Sequence, residues 1–499
     1  MEKTKNFLAI DFGASNGRAI VGSFDGKRIS LNEVYRFENR SVFAGGVLYW
    51  DFLRLFSELK TGILNALERF NSIDSVGIET WGCDFGLLDK HKNLLSNPVH
   101  YRDKRTLGIS EKIKIKITEE ELYRRTQAQI LEINTICQLY SLKLSDSAVL
   151  SSAGYLLLLG DLFNFFLTGN IICEYTNATL TQLLDQSRKR WDKTIINLLD
   201  LPEEIFIDVT EPGKLIGKLQ KEICDEINCR PINVALPAYD TASEITAIPI
   251  SSENKLKNWA YLNCGTWAMV GIISDCPVIK EEGFRQGFGN EGGFAGKYHF
   301  LKNMVGLWII QRCREKWLEE MAKDLSWDRI MNSAINSEDK NTFIDIDDQM
   351  FEREIFDMPS SIINYCRNTR QEVPQGIGEI ARIFYESLVL KYALNIRKLE
   401  KITGKEIELL HLVGGGSKDR LICQWTANAA GLPVIAGPAE TTTTGNILAQ
   451  MIADGEISSI DEGREIVISS VKLDRYEPEN SRLWENKFEI YKKVLSLEI

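Results

Sequence analysis

Two aspartates have sequence positions that favour a role in catalysis or metal binding, and the first is Asp11. It ends the apolar run FLAIDFG and precedes the turn residues ASNG, after which RAIVGSF resumes a strand-like alternation. A carboxylate at the corner of such a β-hairpin is a hard oxygen ligand beside backbone N–H groups that can hold phosphate. The pattern therefore predicts a site for a magnesium nucleotide, with Asp11 as the metal ligand. The alternative is that Asp11 only caps the turn.

The second aspartate, Asp240, lies in VALPAYDTASEITA, where an apolar strand leads into a helix. One interpretation is an N-cap, because Asp is favoured at that position. The other is a general base, because a carboxylate kept ionised by the helix start can accept the proton of a hydroxyl that attacks a γ-phosphate. The residues around Asp240 leave both open.

Two glycine-rich turns in the second half of the chain could complete a nucleotide site. The turn CGTW at 264–267 offers a hydroxyl and small-residue backbone for phosphate, and VGGGS at 413–417 offers bare backbone against which a flat ligand could lie. The combination of these turns with the hairpin at Asp11 is similar to the arrangement of actin-like ATP-binding proteins.

The elements that must position these residues are alternating strands and helices. The hairpin pattern of the N-terminus recurs in WAYLNCGTWAMVGII at 259–273, so the chain has two similar halves, and the polar stretch 249–258 separates them. The segment 51–70 predicts an amphipathic helix, and 380–404 predicts a long helix that ends at glycine. We therefore expect an α/β protein with domains at 1–248 and 249–499.

Composition excludes several classes of protein. The chain has 499 residues, 44% of them apolar, and a net charge of −11 without a basic run, which argues against a nucleic-acid partner. The N-terminus has no signal-peptide core, so we expect a cytoplasmic protein with no membrane partner. The apolar stretch 154–167 is too short to span a bilayer and predicts a buried helix. The acidic stretch 332–354 predicts a surface excursion.

Other nucleotide-binding signatures are missing from the sequence. GxxxxGK[ST] does not occur, and the two DFG tripeptides lack the HRDxxxxN motif that a protein kinase needs. The residues after Gly17 favour a strand instead of the helix that a dinucleotide-binding loop requires.

Ten sequence blocks in order resemble a known family. They are AIDFGASNGR, IETWGCDFGLLD, PVHYRDKRT, LTG with EYTNATLTQLLD, AYDTASEI, NCGTWAMVG, NEGG, LKNMVGLWIIQRC, LVGGGSKDR and AGPAETTTTGNI. Together they are similar to the FGGY carbohydrate kinases, and most similar to those that act on L-rhamnulose. The resemblance implies a two-domain actin-like (ribonuclease H-like) ATPase fold with a cleft between the domains. It also implies phosphorylation of a ketose by ATP and Mg²⁺, in a monomer or homodimer.

The resemblance also assigns roles to individual residues. It makes Asp240 the catalytic base. It assigns ATP to Gly13, Ala14, Ser15, Asn16, Gly17, Arg18, Thr266, Gln311 and Gly415. It assigns the sugar to Gly82, Tyr239, Asp240, Thr241 and Asn303.

Two blocks depart from the family pattern. The usual sequence before the base is SHDTA, whereas this chain has AYDTA, so Tyr239 replaces a His expected to contact the sugar. The usual SSGTW is NCGTW here, which keeps the Gly-Thr-Trp core. The first departure leaves L-fuculose and xylulose open as substrates. A non-catalytic actin-like protein that binds ATP or sugar is the remaining alternative, and the presence of Asp240 beside intact phosphate turns argues against it.

Overall fold

The structure is a computed structural model that describes residues 4–251, 253–321, 325–352 and 357–497. The chain folds into two compact units. The first unit comprises Met1–Ser251, Ile273–Phe300 and Thr441–Ser470, and the second comprises Ser252–Ile272, Leu301–Glu440 and Val471–Ile499. The chain therefore changes unit after residues 251, 272, 300, 440 and 470. The first change lies close to the domain boundary expected after residue 248, and that boundary stays a prediction.

The described residues form both strands and helices. The strands are β1 (Lys5–Phe12), β2 (Asn16–Phe24), β3 (Ile29–Glu38), β4 (Ser41–Ala44), β5 (Val47–Trp50), β6 (Ser75–Thr80), β7 (Phe85–Leu88), β8 (Tyr155–Leu158), β9 (Cys173–Glu174), β10 (Leu184–Asp185), β11 (Arg190–Trp191), β12 (Val209–Thr210), β13 (Lys214–Lys218), β14 (Asn233–Leu236), β15 (Trp259–Cys264), β16 (Trp267–Ser274), β17 (Gly289–Gly292), β18 (Tyr298–Val305), β19 (Leu409–Val413), β20 (Val434–Ala436) and β21 (Asp474–Tyr476). The α-helices are α1 (Phe52–Arg69), α2 (Ile109–Lys114), α3 (Glu119–Thr126), α4 (Thr135–Leu144), α5 (Ala148–Ser151), α6 (Leu159–Thr168), α7 (Tyr175–Ala178), α8 (Lys193–Leu198), α9 (Lys221–Glu226), α10 (Asp240–Thr246), α11 (Glu281–Arg285), α12 (Trp308–Met321), α13 (Trp327–Asn336), α14 (Gln349–Glu352), α15 (Met358–Asn368), α16 (Ile377–Thr403), α17 (Arg420–Ala430), α18 (Thr441–Asp454), α19 (Ile460–Ser470) and α20 (Ser481–Val494).

The first unit is built on a six-stranded sheet in the order β13-β14-β6-β1-β2-β3. β14, β6 and β1 are parallel neighbours, whereas β1 to β3 form antiparallel hairpins, as predicted for β1 and β2. Every residue of β6 is buried, which is typical of a central parallel strand covered on both faces. α1 packs on β1, β2 and β3, and α18 packs on β1 and β6.

The two covering helices lie on opposite faces of this sheet. Gly62 of α1 lies against Ile10, and Gly77 of β6 lies against Asn446 of α18. Ala9 is the register partner of Gly77, so the next residue, Ile10, points to the other face. Asp11 and Glu79, two positions beyond Ala9 and Gly77, therefore share the face that carries α18.

α1 forms as its sequence predicts. Asp51 is the N-cap, and its side chain accepts the N–H of Arg54 at 3.3 Å. The apolar positions recur every three or four residues and are buried against the sheet. These buried residues are Phe52, Leu55, Leu59, Gly62, Ile63 and Ala66.

The second unit has a sheet in which β18, β16, β15, β19, β20 and β21 are successive neighbours. β15 and β16 form the predicted second hairpin, and β19 runs parallel to β15. The long helix α16 is confirmed, and it ends where Gly404 adopts a left-handed conformation with φ of 74°. After β19 the chain makes a 3₁₀ turn at Gly415–Lys418 and continues into α17, so the glycine turn lies at a strand end.

The apolar stretch 154–167 differs from its prediction. Its first part forms β8, which pairs with β7, and only the part from Leu159 onward is helical. Apolar periodicity cannot distinguish a buried strand from a buried helix over so few residues. None of the helices in the described ranges is long and apolar enough to cross a membrane.

The prediction of a surface excursion at 332–354 holds for much of 332–341, which is largely exposed, and is wrong from residue 342 onward. Phe343, Ile344 and Ile346 are fully buried, and the Phe343 ring meets the edge of Tyr491 at 5.6 Å. Lys391 pairs with Asp345 at 2.8 Å, so a charge of the acidic stretch is neutralised by a buried cation. Alternation of apolar and acidic residues here places the apolar side chains inward. The last two residues of the stretch, 353 and 354, lie outside the described residues.

Candidate active site

Three neighbouring parallel strands of the first unit bring carboxylates to one edge of the sheet. Asp11 and Glu79 are register partners near the carboxyl ends of β1 and β6. Asp240 follows β14 as the first residue of α10. Because β6 lies between β1 and β14, Glu79 stands between the other two carboxylates, and its charge interacts with both. Asp11 and Asp240 are residues that the sequence analysis selected, and Glu79 is one that it missed.

Asp240 has the properties expected of a general base. The N-cap of α10 is Tyr239, so the interpretation of Asp240 as the N-cap is wrong. Its carboxylate accepts the N–H of Thr241 at 2.6 Å. Burial raises the pKa of Asp240 to about 7, the Thr241 N–H lowers it, and the nearby charge of Asp11 raises it. A carboxyl group with a pKa near the working pH can both accept and release a proton.

Glu79 is the most deeply buried of the three carboxylates, with 1% of its surface exposed. Burial raises its pKa well above the ordinary value, and the charges of Asp11 and Asp240 raise it further. The IETWG block contains Glu79, but only its register with Asp11 in the folded sheet relates it to the site, so no local sequence pattern identified it.

Arg18, which the family resemblance assigned to the ATP phosphates, pairs with Asp11. The two residues are cross-strand partners in the β1–β2 hairpin, and the guanidinium donates to the Asp11 carboxylate at 2.5 Å. This ion pair is part-buried, so it keeps Arg18 at the strand end beside the turn. The Arg18 guanidinium therefore lies at the hairpin turn where we expect the ATP phosphates.

The first hairpin turn carries the other residues assigned to phosphate. Gly13 donates its N–H to the carbonyl of Asn16 at 2.9 Å, and Ala14 and Ser15 are exposed at the tip. A side chain at Gly13 would lie only 3.1 Å from the Asn16 carbonyl oxygen, so a larger residue there would push the turn apart slightly. The neighbouring residue Asn39 holds the turn, since its Nδ2 donates to the Gly13 carbonyl at 2.9 Å.

Tyr239 makes contacts that the sequence analysis did not predict. Its hydroxyl donates to the carboxylate of Glu291 on β17, and its N–H donates to Thr176 Oγ1 at 3.2 Å. Both members of the tyrosine–carboxylate pair are buried. Glu291 belongs to the NEGG block of the sequence, but no local pattern links that block to Tyr239. The structure thus places Glu291 against Tyr239, the residue that the family resemblance assigned to the sugar.

Gly82 lies in a packed position beside Asn177. A side chain at Gly82 would overlap Leu180, and it would come within 3.4 Å of Asn177 Oδ1. The neighbouring Trp81 is buried, and its indole N–H donates to Asp84 at 2.9 Å. A side chain at Gly82 would therefore have to displace the end of the Leu180 side chain.

In the second unit, the turn between β15 and β16 presents Thr266. Its hydroxyl donates to Gln311 Oε1 of α12 at 3.2 Å, so two residues assigned to ATP are neighbours. Gly306 donates its N–H to the Thr266 carbonyl at 3.2 Å. A side chain at Gly306 would overlap the carbonyl of Gly265, which keeps this backbone close to the turn.

The glycine turn after β19 lies beside the same hairpin. A side chain at Gly416 would overlap Cys264 at the end of β15. Gly415 is exposed, and a side chain there would meet no atom within 4 Å. The second unit therefore brings Thr266, Gln311 and Gly415 to one region, with open space over Gly415. Asn303, assigned to the sugar, lies on β18 of this unit, whereas Gly82, Tyr239, Asp240 and Thr241 lie in the first.

The chemistry of the first hairpin fits a magnesium nucleotide. Asp11 supplies hard carboxylate oxygens, and the turn beside it supplies a guanidinium and glycine backbone. Within the described residues, no three His, Cys, Asp or Glu side chains could hold a metal ion together. Such a corner suits Mg²⁺, which proteins hold through one or two carboxylates together with substrate phosphates and water.

Comparison with known proteins covers almost the whole chain. The sequence models described as the FGGY family of carbohydrate kinases, N-terminal and C-terminal domains, match residues 6–245 and 260–453. The chain is 36% identical over 493 residues to the rhamnulokinase of Bacteroides thetaiotaomicron, covering 98% of this chain and 99% of that protein. It is 37% identical over 478 residues to the rhamnulokinase of Halalkalibacterium halodurans, covering 94% and 98%.

A solved structure shares the fold. The xylulose kinase from Lactobacillus acidophilus superposes with a TM-score of 0.81 at 17% identity, covering 99% of this chain and 98% of that chain. At this identity the similarity concerns the fold alone. It confirms the predicted α/β, two-domain actin-like fold.

Proposed function

Since the chain belongs to the FGGY family of carbohydrate kinases, we propose that it transfers the γ-phosphate of ATP to L-rhamnulose and forms L-rhamnulose 1-phosphate. The observation that carries this proposal is the position of Asp240 at the start of α10 after β14, where burial and the charge of Asp11 raise its pKa to about 7. The proteins named rhamnulokinase that resemble this chain over nearly its whole length support L-rhamnulose as the acceptor.

In the proposed reaction, Asp240 accepts the proton of the attacking sugar hydroxyl. The oxygen of that hydroxyl forms a bond to the γ-phosphorus, and the bond between this phosphorus and the β–γ bridging oxygen breaks, so ADP leaves. A general base of this kind contributes about 10²–10⁴-fold to the rate. Its pKa of about 7 means that a large fraction is ionised at neutral pH.

The remaining residues bind and orient the nucleotide. Gly13, Ala14, Ser15, Asn16, Gly17 and Arg18 form one phosphate turn, and Thr266, Gln311 and Gly415 form the other contact region. Asp11 would hold Mg²⁺, which neutralises charge on the transferring phosphate when it is bound. Positioning and charge neutralisation supply most of the catalysis in phosphoryl transfer.

The choice of sugar depends on the wall formed by Tyr239 and Glu291. The hydroxyl of Tyr239 donates to Glu291, so this tyrosine presents its ring and a fixed hydrogen bond where relatives are expected to present a His. Gly82, Thr241 and Asn303 complete the proposed sugar contacts. The expected cytoplasmic location, the absence of a nucleic-acid partner, and a monomer or homodimer remain predictions that accompany this function.

The test is a screen for ADP release over ketoses with ATP and Mg²⁺. The panel contains L-rhamnulose, L-fuculose and xylulose, and the matched control is the Asp240→Asn variant on each sugar. We expect the highest kcat/KM with L-rhamnulose and loss of turnover in the variant. A higher kcat/KM with L-fuculose or xylulose would identify another acceptor, and no ADP release with any ketose would overturn the kinase proposal.

A further inference from the structure

Glu79 is a buried carboxylate without a partner. It is 1% exposed, and neither of its carboxylate oxygens has a hydrogen-bond partner among the described residues. The neighbouring Ser243 hydroxyl is near enough to lower the pKa of Glu79, but it donates its proton to the carbonyl of Ala238 at 2.9 Å. Buried carboxylates are normally hydrogen-bonded or paired with a cation, because burying an unpaired one is costly. Within the part of the chain that the structure describes, Glu79 therefore has no cation partner and only the Ser243 hydroxyl near it.

The position of Glu79 indicates which ligand would satisfy it. It is the parallel-strand register partner of Asp11, and register partners point to the same face of a sheet. Other deeply buried carboxylates of the protein have partners: Asp161 accepts the N–H of Glu174 at 3.1 Å, and Asp84 accepts the indole N–H of Trp50 at 2.6 Å. Glu79 differs from them because it faces the corner where the nucleotide's cation is expected.

The charge balance of this corner leaves room for a cation. The Arg18 charge lowers the pKa of Glu79, but Arg18 forms its ion pair with Asp11 at 2.5 Å, and the described residues give Glu79 no ion pair of its own. Like charges on Glu79 and Asp11 repel each other unless a cation lies near both. A divalent cation bound through its water shell would supply both the charge and the hydrogen-bond donors that Glu79 lacks.

We propose that Glu79 is a second carboxylate for the divalent cation of the nucleotide, acting together with Asp11. The proposal rests on the proposed kinase function, since that function brings the cation. Glu79 also stands between Asp11 and Asp240, so a cation held by Asp11 and Glu79 would be fixed relative to the base. Glu79 would thus position the metal nucleotide, whereas Asp240 handles the proton.

The test measures how strongly a metal promotes nucleotide binding. The non-hydrolysable analogue AMP-PNP is titrated by calorimetry in Mn²⁺ and again in EDTA, and the ratio of the two Kd values gives the metal dependence. Loss of an outer-shell partner typically lowers metal affinity about 10–100-fold. We therefore expect Glu79→Gln to reduce this ratio at least about tenfold, with the Kd in EDTA unchanged.

Three further variants make the result specific. Asp161→Asn removes another fully buried carboxylate from the same unit and should keep the wild-type ratio. Asp11→Asn should also reduce the ratio. Glu79→Asp keeps a carboxylate and should retain more of the ratio than Gln. The Mn²⁺ electron paramagnetic resonance signal of each complex provides a readout that does not depend on activity.

The outcomes separate this inference from the proposed function. If the wild-type protein binds AMP-PNP equally in Mn²⁺ and EDTA, the magnesium-dependent kinase proposal fails first. If the wild type shows metal dependence and Glu79→Gln keeps it, only the inference about Glu79 is overturned, and Glu79 is then a neutral buried acid. Equal weakening in Mn²⁺ and EDTA would also overturn it, since Glu79 would then support the fold.

Discussion

Asp240 is the residue whose chemistry carries the proposed reaction. We expect Asp240→Asn to lower kcat by about 10²–10⁴-fold, the range of a general base, while the Kd for nucleotide changes little. In the wild type, kcat/KM for the sugar should rise with pH through about 7 and then level off, because only the deprotonated carboxylate accepts a proton. Steady-state kinetics between pH 5 and 9 check both. A variant that keeps more than about a tenth of the wild-type kcat would contradict the role of base.

The same pKa predicts an effect on stability. The pKa of Asp240 is about 7 in the folded protein and 3.8 in its ordinary state, so the folded chain keeps a proton that the unfolded chain releases. The stability from this group is fully present below pH 3.8 and is lost as pH rises through about 7. Asp240→Asn should therefore raise the Tm of the ligand-free protein above pH 7 and leave it unchanged near pH 3. Thermal unfolding at both pH values tests this.

The hydrogen bond between Tyr239 and Glu291 predicts an effect on the stability of the folded protein. Tyr239→Phe removes the donor of a buried hydrogen bond to the Glu291 carboxylate, which should lower the free energy of unfolding by about 1–3 kcal/mol. The matched control is Tyr123→Phe, because the buried Tyr123 hydroxyl has no partner among the described residues. Urea denaturation measures both. An equal loss in the two variants would show that the Tyr239–Glu291 bond adds nothing.

Tyr239→His should also change the choice of sugar. Imidazole is shorter than phenol, so the hydrogen bond to Glu291 and the shape of this wall would both change. We expect the ratio of kcat/KM between L-rhamnulose and the next best ketose to shift by about tenfold, which corresponds to about 1.4 kcal/mol. An unchanged ratio would mean that Tyr239 does not face the sugar.

At the scale of elements, the turn after β19 offers a matched pair of glycines. A side chain at Gly415 meets open space, whereas one at Gly416 overlaps Cys264. Gly415→Leu should therefore keep the wild-type Tm but raise the KM for ATP if adenosine lies on this turn. Gly416→Ala should lower the Tm, because the neighbouring strand end must move. Unchanged KM in Gly415→Leu would place the nucleoside elsewhere.

At the scale of the whole molecule, the first unit depends on a helix from the far end of the chain. Gln450 of α18 donates to the Leu8 carbonyl at 3.0 Å, and Asn446 donates to the Gly77 carbonyl at 3.1 Å. A fragment that ends at residue 248 lacks α18 and exposes the buried face of β1 and β6. We expect it to show no cooperative unfolding in urea. A fragment that restores 273–300 and 441–470 through Gly/Ser linkers is the control and should unfold cooperatively.

The fold class, the family, both hairpins, and the selection of Asp11 and Asp240 follow from the amino-acid sequence alone. These depend on local periodicity, turn residues and the order of motifs, all of which are contained in short segments. The prediction of a helix at 154–158 is wrong because a short apolar run is compatible with either a buried strand or a buried helix. The prediction of a surface excursion from residue 342 onward is wrong because composition does not show which side chains turn inward.

The meeting of distant segments depends on tertiary structure. Glu79 joins Asp11 through strand register, Tyr239 meets Glu291 from 52 residues away, and α18 reaches β1 across 442 residues. No local pattern encodes such contacts, because they depend on how sheets and helices pack after they form. Packing therefore determines which group can pair with a buried carboxylate such as Glu79. The sequence determines only that a carboxylate occupies that position.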